Sequence, residues 1–210
     1  MYSELVEIVQ NDTVAVVGID DVRAARGEFH QIAGEFEDGE PWFESRLAMF
    51  VDWYVMDRPL ADGRTPIARW LAAHADLEAG RYRAFAALAA SLRSVFRVEA
   101  PRGPLLVLDD LVGGGRWQVR SALATAGLLR GEILDARIVI CGGEPCIGRG
   151  VVLHPRDAHD AVLAIVGDAR RQRLAPHRVA EHLDKARLKL DRYSNVKVQH
   201  VYNRLGDARL

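Results

Sequence analysis

The sequence predicts an α+β protein built from three consecutive parts: a helical bundle over residues 1–91, a five-stranded antiparallel barrel-like β module over 92–155, and C-terminal helices over 156–210, together forming one compact unit. Three observations predict it. Before Ser91 and after Pro155, apolar residues recur three and four apart, as on helices that bury one stripe. Between those points the pattern changes to alternation over short runs separated by Gly and Pro, as strands joined by tight turns require. Five such runs at close spacing suit a curled sheet, which hides the strand edges that an open sheet leaves exposed.

In the first part, Met1 to Glu7 is a short amphipathic start. It is followed by Val14-Ala15-Val16-Val17, whose β-branched content fits a strand or a buried helical segment equally well. Asp20 or Asp21 is expected to cap a helix from Val22, because a short carboxylate accepts bonds from the first free backbone N–H groups; Gly39 marks its latest end. Pro41 opens the next helix, on which Trp42, Phe43, Leu47, Phe50, Val51 and Tyr54 form a broad apolar stripe. Large rings at helical spacing, with no accompanying cofactor motif, make this stripe an aromatic packing anchor. Thr65-Pro66 starts a helix through Trp70 and Leu71, and Asp76 is expected to cap another through Phe85 and Leu88.

In the second part, Arg93 to Val98 alternates and Pro101 to Pro104 turns the chain. Leu105 to Leu108 returns it, and Gly113-Gly114-Gly115 turns it again into Arg116-Trp117-Gln118-Val119. Ile133 to Cys141 places apolar residues at 134, 136, 138 and 140 on one face, and Gly142-Gly143-Glu144-Pro145 signals a hairpin into Ile147 to Leu153. In the third part, Pro155-Arg156-Asp157 opens a helix with Ala161, Val162, Ile165 and Val166 apolar, and Pro176 opens the last and longest helix. There Val179, Leu183, Ala186, Leu190 and Tyr193 make a narrow seam, which past Lys197 shifts to Val198, Val201, Tyr202 and Leu205. Docking within the monomer and pairing across a dimer axis fit this seam equally.

Phe50-Val51-Asp52-Trp53-Tyr54-Val55-Met56-Asp57-Arg58-Pro59-Leu60, followed by Gly63-Arg64-Thr65-Pro66, resembles a segment of uncharacterised bacterial proteins, some of which carry a SEC-C metal-binding motif. Val95 to Val98, Leu108 to Leu111 and Gly131 to Arg137 are similar to the β module of those proteins. The resemblance implies a shared architecture and no activity. The cysteine cluster of the SEC-C motif is absent, so the resemblance implies no metal.

The N-terminus has acids where a signal peptide needs bases, and no apolar run approaches the roughly 18 residues of a membrane span, so a cytoplasmic protein without membrane contact is expected. Cys141 and Cys146 are too few for a disulfide scaffold; they flank the last hairpin turn and could face each other, but in a reducing compartment two ordinary half-buried thiols are expected. Cys141, Cys146, His154 and His159 are the one array of metal-ligating types, with a middle spacing shorter than that of a zinc finger, and no metal or cofactor is expected. Gly113-Gly114-Gly115 lacks the Lys-Ser/Thr pair of a phosphate loop, and Asp109 and Asp110, adjacent on a strand, point to opposite faces. No serine sits in a nucleophile elbow and no histidine has a triad partner, so no catalytic residue is assigned.

The net charge of −1 conceals an acid-rich first third and a basic end. Two functions are compatible with this. The first is a non-enzymatic protein-binding or regulatory adaptor acting through the last helix, by way of Leu183, Leu190 and Tyr193, on a partner protein or a second copy as a homodimer. The alternative is a nucleic-acid-binding protein that uses the small barrel and a basic helix, with Lys185, Lys189 and Arg192 as phosphate contacts.

Overall fold

The computed structural model describes residues 2–40, 42–102, 104–121, 127–193 and 195–202, the side chains of 101, 102 and 199 excepted. The expected roles of Pro41 and Leu205 lie outside the described residues. The chain divides into two compact units, the first comprising Met1–Gln31, Glu35–Ser91 and Ile138–Gly150, the second Ile32–Gly34, Leu92–Arg137 and Val151–Leu210. The tip of the last β-hairpin thus groups with the N-terminal helices rather than with the rest of the sheet.

The first unit contains α1 (Tyr2–Val17), α2 (Ile19–Ala33, whose last two residues group with the second unit), α3 (Phe43–Met56), α4 (Pro66–Ala73) and α5 (Ala79–Ala89). The run Val14 to Val17 is the last turn of a helix: Val6, Val9 and Thr13 bury one stripe of α1, and that packing outweighs the β-branched propensity. Gly18, at φ 88°, turns the chain into α2, so Asp20 and Asp21 lie inside the first turn of a helix that starts at Ile19 and complement its dipole instead of capping a later start. Thr65 caps α4 as expected, its hydroxyl accepting from the Ala68 N–H at 3.4 Å with Pro66 in the first turn. Glu78, not Asp76, caps α5, accepting from the N–H groups of Gly80 and Arg81 at 2.8 and 3.0 Å.

The aromatic anchor of α3 meets Phe29 of α2, whose ring centre lies 5.7 Å from Phe50, 5.3 Å from Trp53 and 6.3 Å from Phe36. Phe29, Phe36, Phe50, Trp53 and Tyr54 are all buried, and rings at these separations add to what area burial alone contributes. A second aromatic group joins α1, α4 and α5: the Trp70 indole donates to Asp12 at 2.7 Å and its ring lies 4.0 Å from both His74 and Phe85.

The sheet comprises β1 (Leu92–Arg102), β2 (Leu105–Asp110), β3 (Arg116–Arg120), β4 (Ile133–Cys141) and β5 (Glu144–His154), in the order β1-β2-β3-β5-β4, which closes on itself. It is mixed, and this corrects the purely antiparallel expectation. A ring of five strands cannot alternate in direction all the way round. The β1–β2 and β2–β3 pairs are antiparallel and β4–β5 is a hairpin, which leaves β3–β5 or β4–β1 to supply the parallel pair.

Residues 93–96 and 133–139 are buried without interruption, so β1 and β4 are covered on both faces. In the second unit one of those faces packs under α6 (His159–Gln172) and α7 (Pro176–Arg192), which follow a 3-10 turn at Arg156–Ala158; α8 (Val198–Val201) closes the described chain. The resulting core brings together Val95, Ile133, Val162, Ile165, Val179, Leu183 and Tyr202. Beside it, on the same faces of the strands as Val95 and Ile133, Arg93 donates to Asp135 at 3.0 Å and to Asp184 of α7, all three fully or nearly fully buried.

Candidate functional site

The two units carry opposite charge. The first holds nine basic and 17 acidic side chains, a formal net of −8, and the second holds 19 basic and 12 acidic, a net of +7. Burial sharpens the contrast in the second unit. Among the described residues Asp110, Asp135, Glu181 and Asp184 are interior there, against the two arginines Arg93 and Arg137, so more negative than positive charge is withdrawn from their surface.

Each withdrawn acid considered next has a structural use. Asp110 ends β2 by capping the turn that follows: its carboxylate accepts from the N–H groups of Val112 and Gly113 at 3.0 and 2.9 Å and from the Ser94 hydroxyl at 2.5 Å. A Cβ on Gly113 would lie 2.7 Å from that carboxylate, and Gly114 and Gly115 adopt φ 80° and 97°, so the three glycines make the β2–β3 turn that the sequence predicts. Asp135 and Asp184 balance Arg93. Burial pushes the Asp135 carboxyl up, and the Arg93 charge overrides it and holds the group below the usual carboxylate range.

Outside, Arg97 of β1, Asp109 of β2 and Arg116 of β3 are direct cross-strand neighbours. Asp109 accepts from Arg116 at 2.9 Å and from Arg97 at 3.4 Å, and these bonds, that from Arg116 foremost, lower its pKa. Glu99 also accepts from Arg97, at 3.2 Å, and lies 3.8 Å from Arg130, so two carboxylates stand among three guanidiniums and the row keeps one positive charge in excess. Arg170, at the end of α6, lines the same open cavity of about 460 Å³ together with Gly114 and Gly115. Gln118 and Arg120 continue the exposed face of β3. Trp117 shares its face with the buried Val119 and is half-buried, so it does not stand among these arginines as a surface for stacking bases.

The sequence-predicted site residues separate on α7. Leu183 is fully buried in the core of the second unit and Leu190 packs partly against that core, whereas Tyr193 is 59% exposed. The expected apolar docking line is therefore interrupted: a partner cannot reach Leu183 while the unit is folded. Of the expected phosphate contacts, Lys185 is half-buried, whereas Lys189 and Arg192, the latter at the end of the helix, are exposed. The row formed by Arg97, Arg116 and Arg170 is not assigned from sequence, because it is assembled by strand register and by the end of a helix more than fifty residues away. Alternation along β3 is the one available signal for Arg116.

His154 is buried, with Nδ1 3.0 Å from the Tyr202 hydroxyl, and His159 Nε2 donates to the His154 carbonyl at 3.2 Å. Among the described residues no group of three or more His, Cys, Asp or Glu side chains is placed to hold a metal ion, and no helix is long and apolar enough to cross a membrane. No curated protein and no solved structure matches the chain. A family model does match, over residues 36–168, from the α2–α3 connection through the sheet and into α6. Since that span is more than half of the chain, the protein belongs to this family of unknown function, DUF7986.

Proposed function

We propose that the protein is a non-enzymatic binding protein whose second unit engages a nucleic acid through its phosphates, with little selectivity among bases. The observation that supports this reading is the distribution of charge in that unit: four acids inside, an excess of arginine outside, and three arginines with Asp109 around one open cavity. The closed five-stranded sheet, read as a small barrel, is of a kind that binds oligonucleotides on its strand faces. The half-buried Trp117 argues against base stacking and therefore for phosphate contact.

The test is fluorescence anisotropy with labelled oligonucleotides of unrelated sequence, comparing the protein with Arg116→Gln/Arg170→Gln and with Lys189→Gln/Arg192→Gln. The first variant is expected to weaken binding for all sequences alike and to lower the salt slope by about 0.9 for each phosphate that is no longer neutralised. Weakening confined to the second variant would move the site to α7. Absence of binding at low salt by the unaltered protein would reject the reading.

A second reading keeps the adaptor function, at the far end of α7. Tyr193 and Val196 are 59% and 37% exposed, a pair of large apolar side chains suited to a protein partner or a second copy. In sedimentation, Tyr193→Ala should reduce self-association or partner binding without lowering stability. In either reading we place the protein in the cytoplasm, and we infer a relation to uncharacterised bacterial proteins, some of them SEC-C-bearing, that assigns no metal here.

A further inference from the structure

The hairpin that joins β4 to β5 belongs to the first unit, and two contacts with α3 fix it there. Arg149 of β5 donates to Asp52 of α3 at 3.0 Å, and the Tyr2 hydroxyl of α1 donates to the other oxygen of the same carboxylate at 2.6 Å. Gly150 lies so close to α3 that a Cβ there would stand 2.0 Å from Met49 Cγ. The hairpin turn itself is Gly142-Gly143, with φ 62° and 90°, the left-handed pair that a two-residue connection requires.

That turn fixes which side chains meet. With Cys141 closing β4 and Glu144 opening β5, the two face each other across the turn, and alternation puts Cys146 on the face of Glu144. Cys141 and Cys146 are thus diagonal neighbours on one face of a twisted hairpin, and the Cys146 thiol donates to the Glu144 carbonyl at 3.6 Å. Both are reduced and half-buried, and Cys141 lines a groove of about 460 Å³ with Ile140 of the hairpin, Tyr2 and Leu5 of α1, and Ala84 and Ala87 of α5. A small reagent can therefore reach Cys141 from the groove, and Cys146, half-buried and not among the groove's lining residues, from the solvent side of the hairpin.

We propose that Cys141 and Cys146 are a redox site, a dithiol that converts reversibly to an intramolecular disulfide by exchange with a low-molecular-weight disulfide. Cys146 attacks first. Its thiolate displaces one thiolate from the reagent to give a mixed disulfide, and the leaving group takes a proton to become a thiol. Cys141 then loses its proton and attacks the Cys146 sulfur, forming the Cys141–Cys146 bond and releasing the second reagent thiol. The protein gives up two electrons and two protons, and one reagent disulfide becomes two thiols. The order follows from the environment of Cys141, where burial, and then the neighbouring Cys146, push the thiol up to about 11; converting Cys146 to a neutral disulfide removes the second of these causes. The bond would draw β4 and β5 together at the wall of the groove, making access to the groove sensitive to thiol redox state.

The test uses the full-length protein equilibrated with oxidised and reduced glutathione at graded ratios, then alkylated with iodoacetamide and weighed. The expected result is one species that has lost two hydrogens and takes no alkyl group, appearing as the ratio becomes more oxidising and vanishing on reduction. Cys141→Ser should instead accumulate one stable glutathione adduct at Cys146, because the resolving thiol is gone. Two glutathione adducts on the unaltered chain, a disulfide-linked dimer, or two thiols still alkylated at the most oxidising ratio would each overturn the proposal.

Discussion

Arg58 in the first unit and Arg93 in the second are each held by two carboxylates distant in sequence, yet the two centres stand in different amounts of water. Arg58 donates to Glu28 at 2.7 Å and to Asp21 at 2.9 Å; Asp21 also accepts from the Tyr54 hydroxyl, and its side chain is 25% exposed and that of Glu28 50%. Arg93, Asp135 and Asp184 are exposed by no more than 4%. At the first centre, water can take the place of a missing partner. At the second nothing can, since burial opposes charge on both Arg93 and Asp135 and the attraction of opposite charges overrides it. The contrast extends to the surfaces: among the described residues the first unit buries one acid, Asp52, while the second places four of its own inside and presents arginine.

The most severe way to break the comparison is Arg93→Ala, which leaves two buried carboxylates without their cation and should cost roughly 3–5 kcal/mol in urea denaturation. Replacing all three groups with apolar residues of similar volume should recover most of that loss, which would show that the charge set specifies how α7 sits on β1 more than it stabilises the unit. Leu183→Ala comes next, at about 3 kcal/mol, because the side chain is fully buried in the helical core. Unchanged stability together with abolished partner binding would restore the docking role that the sequence suggests for it. Arg58→Ala should cost only roughly 1–2 kcal/mol, since Asp21 and Glu28 regain water; a loss equal to that of Arg93→Ala would erase the distinction between the centres.

The smallest effect is one of pH. The folded-state pKa of Asp135 lies below its unfolded value of about 3.9, so its stabilisation is complete above that value and is lost as pH falls through the folded one. Denaturation followed from neutral pH to below about pH 4 should show an acid-dependent loss that Asp135→Asn, already destabilised, no longer shows.

The helices, the turns and most strand positions are legible in the sequence because each depends on local chemistry: Thr65-Pro66 caps and starts α4, Gly142-Gly143 turns the last hairpin, and the α3 stripe buries its rings. What the sequence conceals depends on distant partners. Residues 133–139 alternate in polarity and yet are all buried, because α7 brings Asp184 to Arg93 and Arg93 in turn satisfies Asp135. A charged residue on a strand reads as solvent-facing unless its partner is known. For the same reason Leu183 reads as an open seam, and the row Arg97, Asp109, Arg116 cannot be assembled without the strand register. The parallel pair in the sheet is hidden by topology, since neither β3 and β5 nor β4 and β1 are consecutive in the chain.

The central claim is that the arginine surface of the second unit is available to a polyanion. It is tested most directly by measuring oligonucleotide affinity as a function of salt, from about 50 to 200 mM, for two unrelated sequences of equal length. The account predicts nearly equal affinities for the two sequences and a linear fall of log affinity with log salt, with a slope near −2 to −3 for contacts through roughly three arginines. Affinity indifferent to salt, strong preference for one sequence, or no binding at the lowest salt would contradict it.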